Sequence, residues 1–203
     1  VPMQVWKTKR DEVLVEMMRM KGRGTFTADA CSRCGCIPEQ VESSRGEQEE
    51  CRPGLFRCKE CFSQQLLCGD CCVEMHACHP LHCIEEWTGR FFRRSWLFNL
   101  GLVVELGHED STTCTVPCYR KTTVIHTTGI QHVQVSFCGC SNSSGTPMWK
   151  QAIRREWYPA TLDKPKTFTT FAVLNSFHKL TLEGKSTTYD YYSSLQLLSN
   201  NTG

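Results

Sequence analysis

Phe56–His82 reads FRCKECFSQQLLCGDCCVEMHACHPLH, with six cysteines and three histidines in 27 residues. Two C-x-x-C pairs lie in it, Cys58/Cys61 and Cys68/Cys71, and a third, Cys31/Cys34, lies upstream. A C-x-x-C turn aims two thiolates at one centre, and zinc takes four such ligands in a tetrahedron. His76 and His82 follow the last pair, so three pairs and two histidines make eight ligands, enough for two ions. The rival readings are half-buried reduced thiols and disulfides. A redox role for a single pair is weaker, because no βαβ pattern surrounds one.

The order of the ligands suggests a topology. In a cross-brace the first and third pairs share one ion, and the second and fourth pairs share the other. Cys31, Cys34, Cys68 and Cys71 then form one set, and Cys58, Cys61, His76 and His82 the other. This stretch resembles ZZ and B-box fingers, in which C-x-x-C pairs are followed by two closing histidines. His79 is an alternative to His76 or His82, with Pro80 stiffening the chain between. Cys36, Cys51, Cys72, Cys78 and Cys83 are left as spare thiols. The run EQVESSRGEQEE (39–50) is charged and polar and reads as an exposed loop insertion.

The rest of the chain sets the context. Fifteen cysteines in 203 residues is far above ordinary usage, yet spread over a longer chain than a small disulfide scaffold. The first 24 residues hold no apolar h-region and no run of eighteen apolar residues exists, so neither a secretory signal nor a membrane span is expected. Val1 and Gly203 read as cut points in a longer protein. Reduced thiols and metal sites in an intracellular chain are the expectation.

A second cluster follows: His108, Cys114, Cys118, and Cys138-Gly139-Cys140. Between its halves, Val124–Thr127 and Ile130–Phe137 alternate apolar and polar, with Thr128-Gly129 as the turn of a hairpin. A hairpin of that length brings its ends together. His108, Cys114, Cys138 and Cys140 are the expected third zinc set, with Cys118 as substitute. His126 and His132 fall on the strands as ordinary packed or solvent-facing histidines. Elsewhere, 5–20 shows an apolar stripe (Val5, Trp6, Val13, Leu14, Met17, Met18) suited to a core-facing helix. MWKQAIRREWYPAT (148–161) reads as a short helix stopped by Pro159. Residues 168–182 read as a helix broken at Gly184, and Ser186 caps another.

The expected fold is α+β, with small zinc-stapled modules carrying β-hairpins and a helical segment after them. The expected parts are 1–28 (helical), 29–88 (cross-braced zinc module), 89–145 (second cluster with hairpin) and 146–203 (helical).

Several stretches together resemble the CxC-type cysteine cluster region of Kyakuja–Dileera–Zisupton (KDZ) transposases. They are FRCKECF, LLCGDCCVEMH and PLHCIEEWTGRFF, then LGLVVELGH, FCGC, REWYPAT, FHKL and STTYDYYSSL with NNTG. VWKTKRDEVLVEMMRMKGRG looks like the helix that precedes that cluster. The positions matching the family's pattern are the twelve residues of the three sets above. The insertion after Cys36 and the thiols Cys72, Cys78 and Cys83 depart from it. The resemblance implies a location N-terminal to an RNase-H-like catalytic domain on a DNA transposon, hence the nucleus and a downstream transposase domain in cis.

An enzyme is not expected. Phosphate-loop, H-E-x-x-H and G-x-S-x-G motifs are missing, and Glu109 directly beside His108 breaks the zinc deaminase pattern. Full ligand sets are the structural pattern, since catalytic zinc keeps an open position. Nine thiolates and three Zn(2+) ions move the formal net charge from +2 to −1, so any DNA contact rests on local patches. The best is GRFFRRSW, with Arg90, Arg93 and Arg94 among Phe91, Phe92 and Trp96; Arg154, Arg155 and Trp157 are a weaker second. The rival partner is a protein or histone-tail peptide, anchored near Asp70 and Glu74.

Overall fold

The computed structural model describes residues 2–26, 30–35, 52–63, 65–108, 114–140 and 146–199. Cys36, Cys51 and the polar run 39–50 lie outside them. The chain falls into two units, Val1–Glu74 with Ile84–Ser95, and Met75–Cys83 with Trp96–Gly203. The expected α+β class is what it has: among the described residues are five α-helices and two small sheets.

In the first unit, α1 (Pro2–Lys21) ends in Arg19 and Lys21, which suit the negative end of the helix dipole. Contrary to the expectation above, its apolar stripe is not core: Trp6 and Met18 are 61% and 64% exposed, and its last turn is tied down. The tie is Arg57, which donates to the Met20 and Gly22 carbonyls at 2.9 and 3.2 Å. Arg57 stands in β1 (Phe56–Cys58), which pairs antiparallel with β2 (Ile84–Trp87); β2 pairs antiparallel with β3 (Phe92–Ser95). The same guanidinium bonds Glu85 at 2.8 and 2.9 Å and lies 3.6 Å from the centre of the Phe92 ring. A largely buried cation is held here by a carboxylate and a ring face, as a desolvated charge requires. The short helix α2 (Gly69–Met75) follows Cys68.

The second unit is a five-stranded sheet whose strands lie in the spatial order Val103–Glu105 (β4), Gly129–Cys138 (β6), Pro117–His126 (β5), Thr167–Thr170 (β8) and Trp157–Pro159 (β7). Its centre is the hairpin of β5 (Pro117–His126) and β6 (Gly129–Cys138), paired from Pro117↔Cys138 to His126↔Gly129. The turn is Thr127-Thr128, one residue earlier than the sequence suggests. Gly129 is instead the first residue of β6, with φ +117, where a Cβ would lie 2.6 Å from the Ser199 hydroxyl. β4 (Val103–Glu105) runs parallel to β6.

The C-terminal part is less helical than expected. The helix α3 (Met148–Arg154) is followed by β7 (Trp157–Pro159), so Pro159 ends a strand. Residues 167–170 form β8 (Thr167–Thr170), parallel to β5, and the helix α4 (Phe171–Gly184) starts only after it. Phe168, fully buried, belongs to the period-two pattern of the strand rather than to the helical stripe. Thr170 caps α4, accepting from Val173 N at 3.4 Å. The last helix, α5 (Thr188–Ser199), is capped by Thr187, whose hydroxyl accepts from Asp190 N at 3.1 Å, and not by Ser186. The core gathers Val124, Val133, Val135, Phe137, Trp157 and Phe168 from the sheet, with Ala152 from α3. Each large side chain buried here contributes about 1.5–3 kcal/mol.

Candidate metal centres

In the first unit the sulfurs of Cys31, Cys34, Cys68 and Cys71 all lie within 4.8 Å of one another. A zinc tetrahedron with 2.3 Å arms needs sulfurs about 3.8 Å apart, so a small contraction suffices. Backbone contacts build the pair of turns. Gly35 N donates to the Cys31 carbonyl at 2.9 Å, and Ser32 N to the Leu66 carbonyl at 2.8 Å, which sets the first turn beside the second. Cys68 precedes α2 and Cys71 sits in its first turn. Cys31 and Cys68 are buried at 1% and 5% exposure, while Cys34 faces solvent.

The protonation of this set is divided. Burial opposes the Cys31 thiolate, but N–H groups of Cys34, Cys68 and Arg33 and the Cys34 thiol donate to it and hold its pKa down to about 6. Burial, then donation of its proton to the neighbouring sulfurs, pushes the Cys71 thiol far up, and burial raises Cys68 as well. One sulfur thus carries charge while neighbouring thiols supply protons to it. A dication that replaces those protons satisfies all four sulfurs at once, and this donor set suits zinc.

In the second unit His108, Cys114, Cys138 and Cys140 form an equally tight group, again within 4.8 Å. His108 Nε2 lies 3.1 Å from Cys138 Sγ and 3.7 Å from Cys140 Sγ; Cys114 Sγ is 3.5 Å from Cys140 Sγ. The Thr115 hydroxyl, 3.2 Å from Cys140 Sγ, then His108 and the other thiols lower the Cys140 pKa to about 5, against burial. Bonds to Cys140 and Cys138 raise His108, and burial raises Cys114. Cys118 points elsewhere: it packs against the hydrophobic core.

Three residues that spacing does not reveal hold this group in place. Gly107 passes so close to Cys138 that a Cβ there would sit 2.6 Å from the Cys138 nitrogen. Gln151, 2% exposed on α3, accepts from Cys138 N at 2.9 Å and donates to the Cys138 and Thr146 carbonyls, each at 3.0 Å. Cys138 stands in a non-hydrogen-bonded pair with Pro117, so its N–H and carbonyl both face away from β5, and the Gln151 amide meets them there. Arg155 donates to the His108 carbonyl at 2.6 Å.

Cys58 and Cys61 stand in the first unit, and His76 and His82 in the second. Cys61 N donates to Cys58 Sγ at 3.4 Å, the signature of a C-x-x-C turn, and burial raises the Cys58 thiol. His76 is fully buried, His82 lies edge-on to it with ring centres 5.6 Å apart, and His79 stacks on His82 at 4.8 Å. Of the spare thiols, Cys72 is buried and Cys83 accepts from Gln131 Nε2 at 3.0 Å. No disulfide occurs among the described cysteines.

The basic patches are partly committed. Arg93 pairs with Glu86 at 3.0 Å, Arg90 is exposed, and Arg94 is half-buried. Phe91 is 58% exposed, whereas Phe92 packs under Arg57. Trp157 is core, so its ring offers no stacking face to a base. Asp70 and Glu74 pair with Arg52 and Arg33 at 3.7 and 2.9 Å. Among the described residues no helix is long and apolar enough to cross a membrane.

A sheet unit that gathers three cysteines and a histidine into one candidate metal-ligand group defines a cysteine-cluster type of module. Residues 97–203, more than half of the chain, match the family model described as a CxC2-like cysteine cluster associated with KDZ transposases, and the chain belongs to that family. The match covers the His108 group and all of β4–β8; the cluster of Cys31, Cys34, Cys68 and Cys71 lies before it. No curated protein and no solved structure matches the chain.

Proposed function

We propose that the chain is a non-catalytic, zinc-stapled module of a KDZ-type transposase that acts in the nucleus and helps to hold DNA. The observation that carries the reading is the pair of closed four-ligand groups, Cys31/Cys34/Cys68/Cys71 and His108/Cys114/Cys138/Cys140, on a chain of this family. Each group spends all four zinc positions on protein ligands, so the ion shapes the fold rather than activating water. The RNase-H-like catalytic domain is supplied in cis by a downstream segment, and this chain supplies contacts.

Duplex DNA is held through phosphates, by Arg90 and by Arg93, whose exposed pair with Glu86 is worth little against a phosphate. Metal analysis of protein purified without chelator should give at least two zincs per chain. An electrophoretic shift of duplex DNA at two salt concentrations should be lost in Arg93→Glu with zinc content unchanged. Fewer than one zinc per chain sinks the metal reading. No shift at micromolar protein in low salt sinks the DNA reading in favour of a peptide or histone-tail partner.

A further inference from the structure

The strongest unassigned feature is a groove in the first unit. Two neighbouring cavities of about 220 and 620 Å³ beside the end of α1 share Met20, Arg57 and Phe92 in their walls. The larger is in the range of ordinary ligand sites, roughly 300–1,000 Å³. The groove carries more positive than negative charge. Arg57 is neutralised internally by Glu85, and the exposed cations Arg19, Lys21 and Lys59 outnumber Glu16 along the same walls. The pairs Arg19–Glu16 (3.7 Å) and Lys59–Glu85 (3.9 Å) are long and their cations exposed, so a phosphate displaces them cheaply. Three rings line the same walls: Phe26, Phe91 and Phe92, of which Phe26 and Phe91 are 37% and 58% exposed.

We propose that this groove binds an unpaired stretch of DNA, with phosphates on Lys21 and Lys59 and a base stacked on Phe91. The inference rests on the DNA reading above and adds to it the site and the form of the nucleic acid. A cationic channel lined with rings is how proteins hold single strands, because every base offers a flat face. In a duplex those faces are covered by neighbouring bases, so Phe26 and Phe91 gain no stacking partner from it. An acidic peptide meets the same cations but leaves the rings without a stacking partner.

The test uses the full zinc-loaded chain and fluorescence anisotropy with three probes: a labelled 12-nucleotide single strand, the corresponding duplex, and an oligoglutamate peptide. The expected result is tighter binding of the single strand than of either other probe. Phe91→Ala, a change at an exposed ring, should weaken the single strand about tenfold and leave the duplex unchanged. Lys21→Gln and Lys59→Gln should each flatten the log–log salt dependence for the single strand by about 0.7. Duplex binding that equals single-strand binding and ignores Phe91→Ala overturns this proposal while leaving the Arg93-dependent DNA reading intact. Preference for oligoglutamate overturns it in favour of an acidic protein partner. Failure to bind either DNA form overturns both readings.

Discussion

Gln151→Met is the sharpest probe of how the second unit holds its metal. The substitution keeps the side-chain volume close and removes three hydrogen bonds, two to the Cys138 peptide and one to the Thr146 carbonyl. A net hydrogen bond is worth about 1 kcal/mol, and each buried peptide group left without a partner costs about 1–3 kcal/mol more. Because the Cys138 N–H and carbonyl both face away from β5, that strand cannot replace the lost partners, and the expected destabilisation is about 3–5 kcal/mol, a large part of the roughly 5–15 kcal/mol that keeps such a unit folded. Zinc affinity at the His108 group should fall about 10- to 100-fold, as for other groups that orient a ligand without touching the ion. Thermal melting gives the first quantity. Cobalt substitution gives the second, since the three-thiolate and four-thiolate groups absorb differently and can be titrated separately. A variant that melts several degrees lower yet binds cobalt at the His108 group as the parent does would refute the idea that Gln151 positions Cys138.

Other outcomes follow from the same geometry. Gly107→Ala should disrupt the His108 group alone, because its Cβ must displace the Cys138 backbone; unchanged cobalt uptake at both groups would contradict the close approach. Cys114→Ser should lower metal content by about one ion, whereas Cys118→Ser should leave it unchanged, as read by metal analysis of the two purified variants. The metal-free chain should show a bounded pH window. Cys140, held down to about 5, adds stability that is complete above the usual thiol value of 9.0 and is lost as pH falls through about 5. His108, raised above 6.5, adds stability that is present below that value and is lost as pH climbs through the raised one. Melting of chelator-treated protein should therefore be highest between these limits. Zinc-loaded protein should lose the upper limb, because the bound imidazole is already neutral.

Much of this was legible in the sequence, and for identifiable reasons. C-x-x-C spacing fixes two sulfurs within one turn, so Cys31/Cys34 and Cys68/Cys71 announce themselves without any knowledge of the fold. The hairpin showed because Val133, Val135 and Phe137 keep a strict period of two, although its turn is misplaced by one residue: Gly129 serves the approach of Ser199 rather than the bend. The strands β7 and β8 were hidden because each has only three or four residues. Phe168 also sits three residues before Phe171, a spacing that a helix shares. The stripe on α1 has helical spacing and still misleads, since periodicity shows which side chains share a face and not whether anything covers it. Gly107 and Gln151 have no local signature, because both act across tertiary contacts with Cys138.

The ten-pair ladder of β5 and β6 has a consequence for the order in which the molecule is made. Cys114 and Cys140 are far apart along the chain, and an ion that had to gather them from a flexible coil would bear the closure entropy of that loop itself. Here the backbone ladder itself closes that loop, since it sets Pro117 opposite Cys138. The ion then meets an assembled cup and gains nearly its whole affinity as net stabilisation. Chain collapse becomes the slow step and metal capture the fast one, so a cell short of zinc would accumulate a folded, loadable sheet rather than a tangled chain.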